Sequence, residues 1–159
     1  MKPKTLRKIL RRFERLPLHH IDTSIVLGSL DYEEKMIRNK YIHKLGYNYR
    51  GMLSFPVLSE LFVKFLSLKN VEEEDLFRQI IDHLRVKRKV EFYSAKRIGK
   101  LMEELYDLDS RLEPTDIQIV ACAIEGKADV LVTLDKNLIN HKSIQEKYEL
   151  KICHPKEFI

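Results

Sequence analysis

Ala128-Asp129-Val130-Leu131-Val132-Thr133-Leu134-Asp135-Lys136-Asn137-Leu138 decides the fold. Val130 to Val132 has no polar alternation, the pattern of a strand covered on both faces inside a parallel sheet. Upstream, Ile117 to Ile124 is apolar on nearly every side and reads as a buried helix, opened by a Thr115/Gln118 capping box and ended by Gly126. Further back the same alternation recurs. Leu18 to Ile21 reads as a strand leading into Asp22-Thr23-Ser24 and a brief helical stretch. Asp31 and Glu34 box the start of a helix carrying Met36, Ile37, Tyr41 and Leu45, which Gly46 stops in the left-handed conformation. Met52 to Phe55 is a second strand, and Pro56 opens a helix with apolar Leu58, Leu61, Phe62, Phe65 and Leu66. Asn70 with Glu73 boxes the next helix, which runs to Arg85. Val90 to Tyr93 is a strand, Ser94 caps a helix reaching about Leu108, and Leu150 to Cys153 is the last strand. Strands alternating with helices specify an α/β fold, a three-layer α/β/α sandwich on a mostly parallel sheet.

The 159 residues amount to one domain. A hydrophobic fraction of 44% with 33% charged residues excludes a disordered tail, and no apolar run is long enough to span a bilayer. The two cysteines, Cys122 and Cys153, make neither a disulfide framework nor a zinc spacing, so both are expected as buried free thiols in a reducing, cytoplasmic compartment. The net charge of +5 is unevenly placed. Residues 1–16 hold seven bases and one acid, leaving 22 bases against 23 acids elsewhere. That excess sits on an amphipathic helix with Leu6, Ile9, Leu10, Phe13 and Leu16 on one side and Arg7, Lys8, Arg11, Arg12 and Arg15 around the other, ended by Pro17.

Open α/β sheets bind ligands beyond the carboxyl ends of their strands. Asp22 follows the first strand, Asp135 follows Thr133, Asp116 lies in the first turn of the buried helix, and Glu60 lies near the start of the helix opened by Pro56. Each has a plain structural explanation as well: Asp22 and Asp135 as helix caps, Asp116 as a dipole partner, and Glu60 as a solvated residue about 200° around its helix from Leu58. Together they make a rim of one sign. Two such charges 4 Å apart repel by about 4 kcal/mol at an effective dielectric of 20. An all-oxygen set of this kind suits Mg²⁺ or Mn²⁺ rather than zinc.

In this order the motifs resemble those of PIN-domain nucleases, including the VapC-type toxins. Asp22-Thr23-Ser24 resembles the family's opening motif, Phe55 to Leu61 the helix bearing its Glu, Pro114 to Ala121 its third acidic motif, and Ala128 to Leu138 its T-x-D motif with the preceding strand. Ile152 to Phe158, with Pro155, resembles the closing strand, so the likeness covers roughly residues 18–158. The resemblance is what selects Glu60. It implies a Mg²⁺- or Mn²⁺-dependent endoribonuclease that hydrolyses RNA to 5′-phosphate and 3′-hydroxyl ends. By the same resemblance Asp22 and Asp116 hold the main ion, Asp135 completes its shell or helps hold a second ion, and Glu60 orients the attacking water. Thr23, Ser24 and Thr133, with Asn137 as a weaker member, orient the carboxylates. The alternative reading is a catalytically inactive PIN-like module that binds RNA or a protein partner. A small-molecule phosphohydrolase is disfavoured, because the chain has no D-x-D-x-T motif and no phosphate-cradling Gly loop.

The domain reading is a basic helical extension over 1–17 and a PIN-like nuclease domain over 18–159. Arg11, Arg12 and Arg15 are candidate RNA-phosphate contacts, with packing of that helix on the domain as the competing account. The extension departs from VapC-type toxins, which begin close to the first Asp motif, so a toxin with an antitoxin partner and an RNA-maturation enzyme both stay open. His19 and His20 alternate across a strand, which argues against a zinc site. Tyr47, Tyr49 and Arg50 read as an ordinary loop rather than a base-stacking platform, and Lys87-Arg88-Lys89 as a solvated connection. Apolar helix faces near 32–45 and 58–84 suggest a homodimer, and no membrane association is expected.

Overall fold

The computed structural model describes residues 3–27, 31–67 and 71–159. Among them, strands β1 (Leu18–Ile21), β2 (Arg50–Ser54), β3 (Glu91–Tyr93), β4 (Val130–Val132) and β5 (Lys151–Cys153) form one sheet in the order β3-β2-β1-β4-β5. Every neighbouring pair is parallel, so the sheet is wholly rather than mostly parallel. The helices are α1 (Pro3–Glu14), α2 (Thr23–Leu27), α3 (Tyr32–Lys44), α4 (Phe55–Leu66), α5 (Val71–Asp82), α6 (Gly99–Leu108), α7 (Pro114–Glu125), α8 (Lys136–Ile139) and α9 (Lys142–Tyr148). A wide π turn, His83–Lys87, follows α5, and a 3-10 turn, Pro155–Phe158, ends the chain.

Two adjacent residues of β2 show why there are three layers. Successive strand residues point to opposite faces. A Cβ at Gly51 would lie against Leu45, at the end of α3, whereas the Met52 side chain reaches Gly126, at the end of α7. Helices α3 and α7 therefore cover opposite faces. Between them Leu53, Leu131 and Val132 are fully buried. Gly51 is required by this closeness: an added Cβ would sit 2.9 Å from Ile21 Cδ1, 3.0 Å from Leu45 Cδ2 and 3.1 Å from Val90 Cγ2, all buried. Gly51→Ala is expected to destabilise the domain by about 1–3 kcal/mol through overpacking. Thermal unfolding checks this; an unchanged midpoint would mean that the α3 layer yields.

On the α3 face His19 joins an aromatic cluster rather than a metal site. Its ring stacks on Tyr49 at 4.2 Å and its Nδ1 meets the Tyr41 hydroxyl at 3.1 Å. The Tyr49 hydroxyl donates to Tyr41 O at 2.8 Å, and Phe158 closes the cluster. Burial pushes His19 down to about 4, so it is neutral. Tyr49 thus belongs to the core, while Tyr47 is exposed. His20 is buried on the other face with no partner for either ring nitrogen, and burial pushes it down to about 3. Cys122 and Cys153 are buried free thiols, as expected.

Several element boundaries differ from the sequence reading. Helix α7 starts at Pro114 with Glu113 as its cap residue, so Thr115 lies inside the first turn and forms no capping box; proline's fixed φ starts the helix instead. Residues 94–98 are irregular and α6 begins only at Gly99, so Ser94 caps nothing. The Asn70/Glu73 box lies outside the described residues. Helix α1 is present, but Ile9 and Leu10 keep about half of their surface exposed, so this part of its apolar face is only partly covered. Among the described residues no helix is long and apolar enough to cross a membrane.

Candidate active site

The strand order reverses direction between β1 and β4, and the carboxyl edge of that pair is where a crevice opens in an open α/β sheet. Asp22 and Thr133 are the residues that leave it. The Asp22 N–H donates to Val132 O at 3.0 Å and the Thr133 N–H to Cys153 O at 3.1 Å, so each prolongs the ladder by one rung. Both are buried. Asp22 Oδ2 accepts from Thr133 Oγ1 at 2.9 Å and from Ser24 Oγ at 2.5 Å. Thr133 Oγ1 in turn accepts from the Asp135 N–H at 3.0 Å, and Ser24 Oγ from the Leu134 N–H at 3.1 Å. Two hydroxyls therefore tie the end of β1 to the turn after β4.

Asp135 caps α8, its Oδ1 accepting from the Asn137 N–H at 2.7 Å, which is the plain capping role anticipated for it. Asn137 takes part through its backbone; its side chain is exposed. Glu60 corrects the helical phasing. The buried residues of α4 are Val57 and Leu61, whereas Phe62 and Leu66 are mostly exposed. Glu60 stands three residues after Val57, on the inward face, and its Oε2 accepts from Thr23 Oγ1 at 2.5 Å. Contact with α2 and α7, not the largest apolar residues, decides which face of α4 turns in.

Asp116, in the first turn of α7, registers the field of the others. Its proton affinity is pushed up to about 6, first by burial and then by the negative charges of Asp135, Asp22, Glu113 and Glu60. The structure thus brings the expected acids into one electrostatic neighbourhood and adds Glu113, which the sequence reading missed. Its signal was available: Glu113 directly precedes the proline that starts α7. The neighbourhood is not a closed cage. Among the described residues no three His, Cys, Asp or Glu side chains lie close enough together to hold an ion as they stand. Arg11, Arg12 and Arg15 are not brought to this rim. They precede β1, at the amino edge of the sheet, about 13 Å of strand away.

The PIN domain family model matches residues 20–143. The chain belongs to the PIN domain family. Solved structures with this PIN fold include VapBC2 from Rickettsia felis bound to a DNA fragment from their promoter, with 18% identity, a TM-score of 0.64, and coverage of 86% of this chain and 98% of that one. VapBC-1 from nontypeable Haemophilus influenzae gives 23% identity and a TM-score of 0.59, covering 87% and 98%. VapBC-5 from Mycobacterium tuberculosis, a member of the VapBC family of toxin–antitoxin systems, gives 15% and 0.58, covering 86% and 98%. At these identities the likeness establishes the fold. No curated protein sequence matches significantly. On this PIN domain the acids lie at the strand-order reversal, and every side-chain donor that faces them there is a hydroxyl.

Proposed function

We propose that this PIN domain is a Mg²⁺- or Mn²⁺-dependent endoribonuclease that leaves 5′-phosphate and 3′-hydroxyl ends. The observation that carries the reading is Asp116, whose raised proton affinity reports four further carboxylates acting on one buried point. A site that stabilises an extra proton also stabilises a cation, and an all-oxygen donor set suits a hard divalent ion. Asp22 and Asp116 would hold that ion, with Asp135 completing its surroundings. Bound there, it would acidify water and offset phosphate charge. The chain's own part is orientation. Ser24 and Thr133 donate to Asp22, Thr133 accepts from the Asp135 backbone, and Thr23 sets Glu60, the residue assigned to align the attacking water.

The test is cleavage of a structured RNA pool by wild type and Asp116→Asn, with the chemistry of the new ends determined. Activity surviving the substitution would remove the assignment. The second reading, an inactive module that binds RNA or protein, is favoured by the lack of a closed three-acid cluster among the described residues; RNA binding without cleavage would establish it. Without a divalent ion the rim repels phosphate, so RNA affinity at low salt is expected to rise when Mn²⁺ replaces EDTA. Equal affinity in both would contradict the reading. An antitoxin-like protein partner is supported by the VapBC complexes among the structural neighbours, and a homodimer by exposed Phe62, Val63 and Leu66 on α4.

A further inference from the structure

A cleft of about 700 Å³ opens between the end of α6 and the start of α9. Its frame is built on Asp109. Arg111 donates to that carboxylate through Nε and Nη2, each at 2.9 Å, and His141 Nε2 meets it at 3.3 Å, which pins the loop after α6 to the start of α9. Both walls run into the acidic rim. The loop after α6 continues through Glu113 to Asp116, and the opposite wall begins at Asn137, two residues and so at most about 7 Å of chain beyond Asp135. Half-buried Leu108 and Leu112 line the cleft. The exposed amides of Asn137 and Asn140 make no hydrogen bond among the described residues, and Lys142 and Arg111 supply the cations.

We propose that this cleft takes one unpaired nucleotide next to the phosphodiester held at the rim, so that the substrate class is RNA with single-stranded segments or loops. The assignment rests on the nuclease reading above and extends it to substrate choice. The volume is that of a small-molecule site. Leu108 and Leu112 offer an apolar surface for the flat face of a base, and each amide carries both a donor and an acceptor for a base edge. Arg111 uses two of its five N–H donors on Asp109, which leaves three for a flanking phosphate without breaking the frame. A base inside an A-form helix presents no such edge, because its Watson–Crick groups are paired and its major groove is too narrow for side chains.

Two measurements test this. In the first, loop-randomised hairpins are cut in Mn²⁺ and the new 5′ ends sequenced. Cuts are expected only in unpaired segments, with a base preference at one position beside the cut that Asn140→Ala weakens about tenfold at an unchanged thermal midpoint. Cuts in duplex, or an unaltered base profile in Asn140→Ala, would overturn the proposal. In the second, fluorescence anisotropy compares short RNA homopolymers with their duplexes in Mn²⁺. If no RNA is cleaved, the nuclease reading fails while this measurement still decides. Preference for single strands, lost in Asn140→Ala and weakened in Lys142→Ala, upholds the cleft; equal binding of strand and duplex, or no binding, rejects it.

Discussion

Asp116→Asn is expected to lower kcat/KM for RNA cleavage by about three orders of magnitude or more, the effect of removing one strong electrostatic group from a reacting centre. The same substitution is expected to stabilise the metal-free protein at pH 7. The folded Asp116 carboxyl is pushed up to about 6 from an ordinary 3.8. Between about pH 4 and 6 the folded chain therefore keeps a proton that the unfolded chain has lost, so this residue's contribution to stability falls as pH rises through that window. Above it the charged carboxylate is a net cost, about 1 kcal/mol once solvent screening at this half-buried site is allowed for. Asparagine removes that cost, which amounts to roughly 2–4 °C in the melting temperature of a domain this size. Below pH 4 the advantage should vanish. With Mn²⁺ added the order should reverse, since wild type gains binding free energy and the variant does not. Thermal unfolding against pH, with and without Mn²⁺, checks each part. A variant less stable than wild type in EDTA at pH 7 would mean that Asp116 is a structural cap.

Thr133→Val should be costly in both activity and stability although it changes almost no volume. Thr133 is fully buried, and its hydroxyl donates to Asp22 while accepting from the Asp135 N–H. Valine leaves that N–H without its acceptor and Asp22 with one donor fewer, a loss of about 1–3 kcal/mol. Because the hydroxyl bridges two of the acids, their relative orientation loosens as well, and activity should fall about 10–100-fold, the usual effect of losing a group that orients a metal ligand. Thr133→Ser should restore most of both. Denaturant unfolding and kcat measure the two effects. A stable and fully active valine variant would show that the bridge does not set the site.

The fold was legible wherever hydrophobic pattern and burial coincide. β4 was bounded correctly because Val130 to Val132 is buried on both faces, and β1 because Pro17 and Asp22 flank it. The start of α7 was misplaced because a capping-box pattern at Thr115 competes with Pro114, and proline's fixed backbone prevails. The candidate acids were legible in part. Asp22, Asp116 and Asp135 follow from where the strands end and α7 begins. Glu60 did not follow from its helix, since the phase of α4 is set by its neighbours and leaves Phe62 and Leu66 outside. Glu113 was passed over as a loop residue, and its weight appears only through its effect on Asp116. The Ser24 and Thr133 bridge is a tertiary contact across 109 to 111 residues of chain, beyond the reach of any local pattern.

The most direct test is an anomalous difference map from crystals soaked in Mn²⁺. A peak within coordination distance of Asp22 and Asp116, with Asp135 turned toward it, is expected. Crystals saturated with Mn²⁺ that show no peak at this rim, the acids still apart and bridged only by hydroxyls, would contradict it.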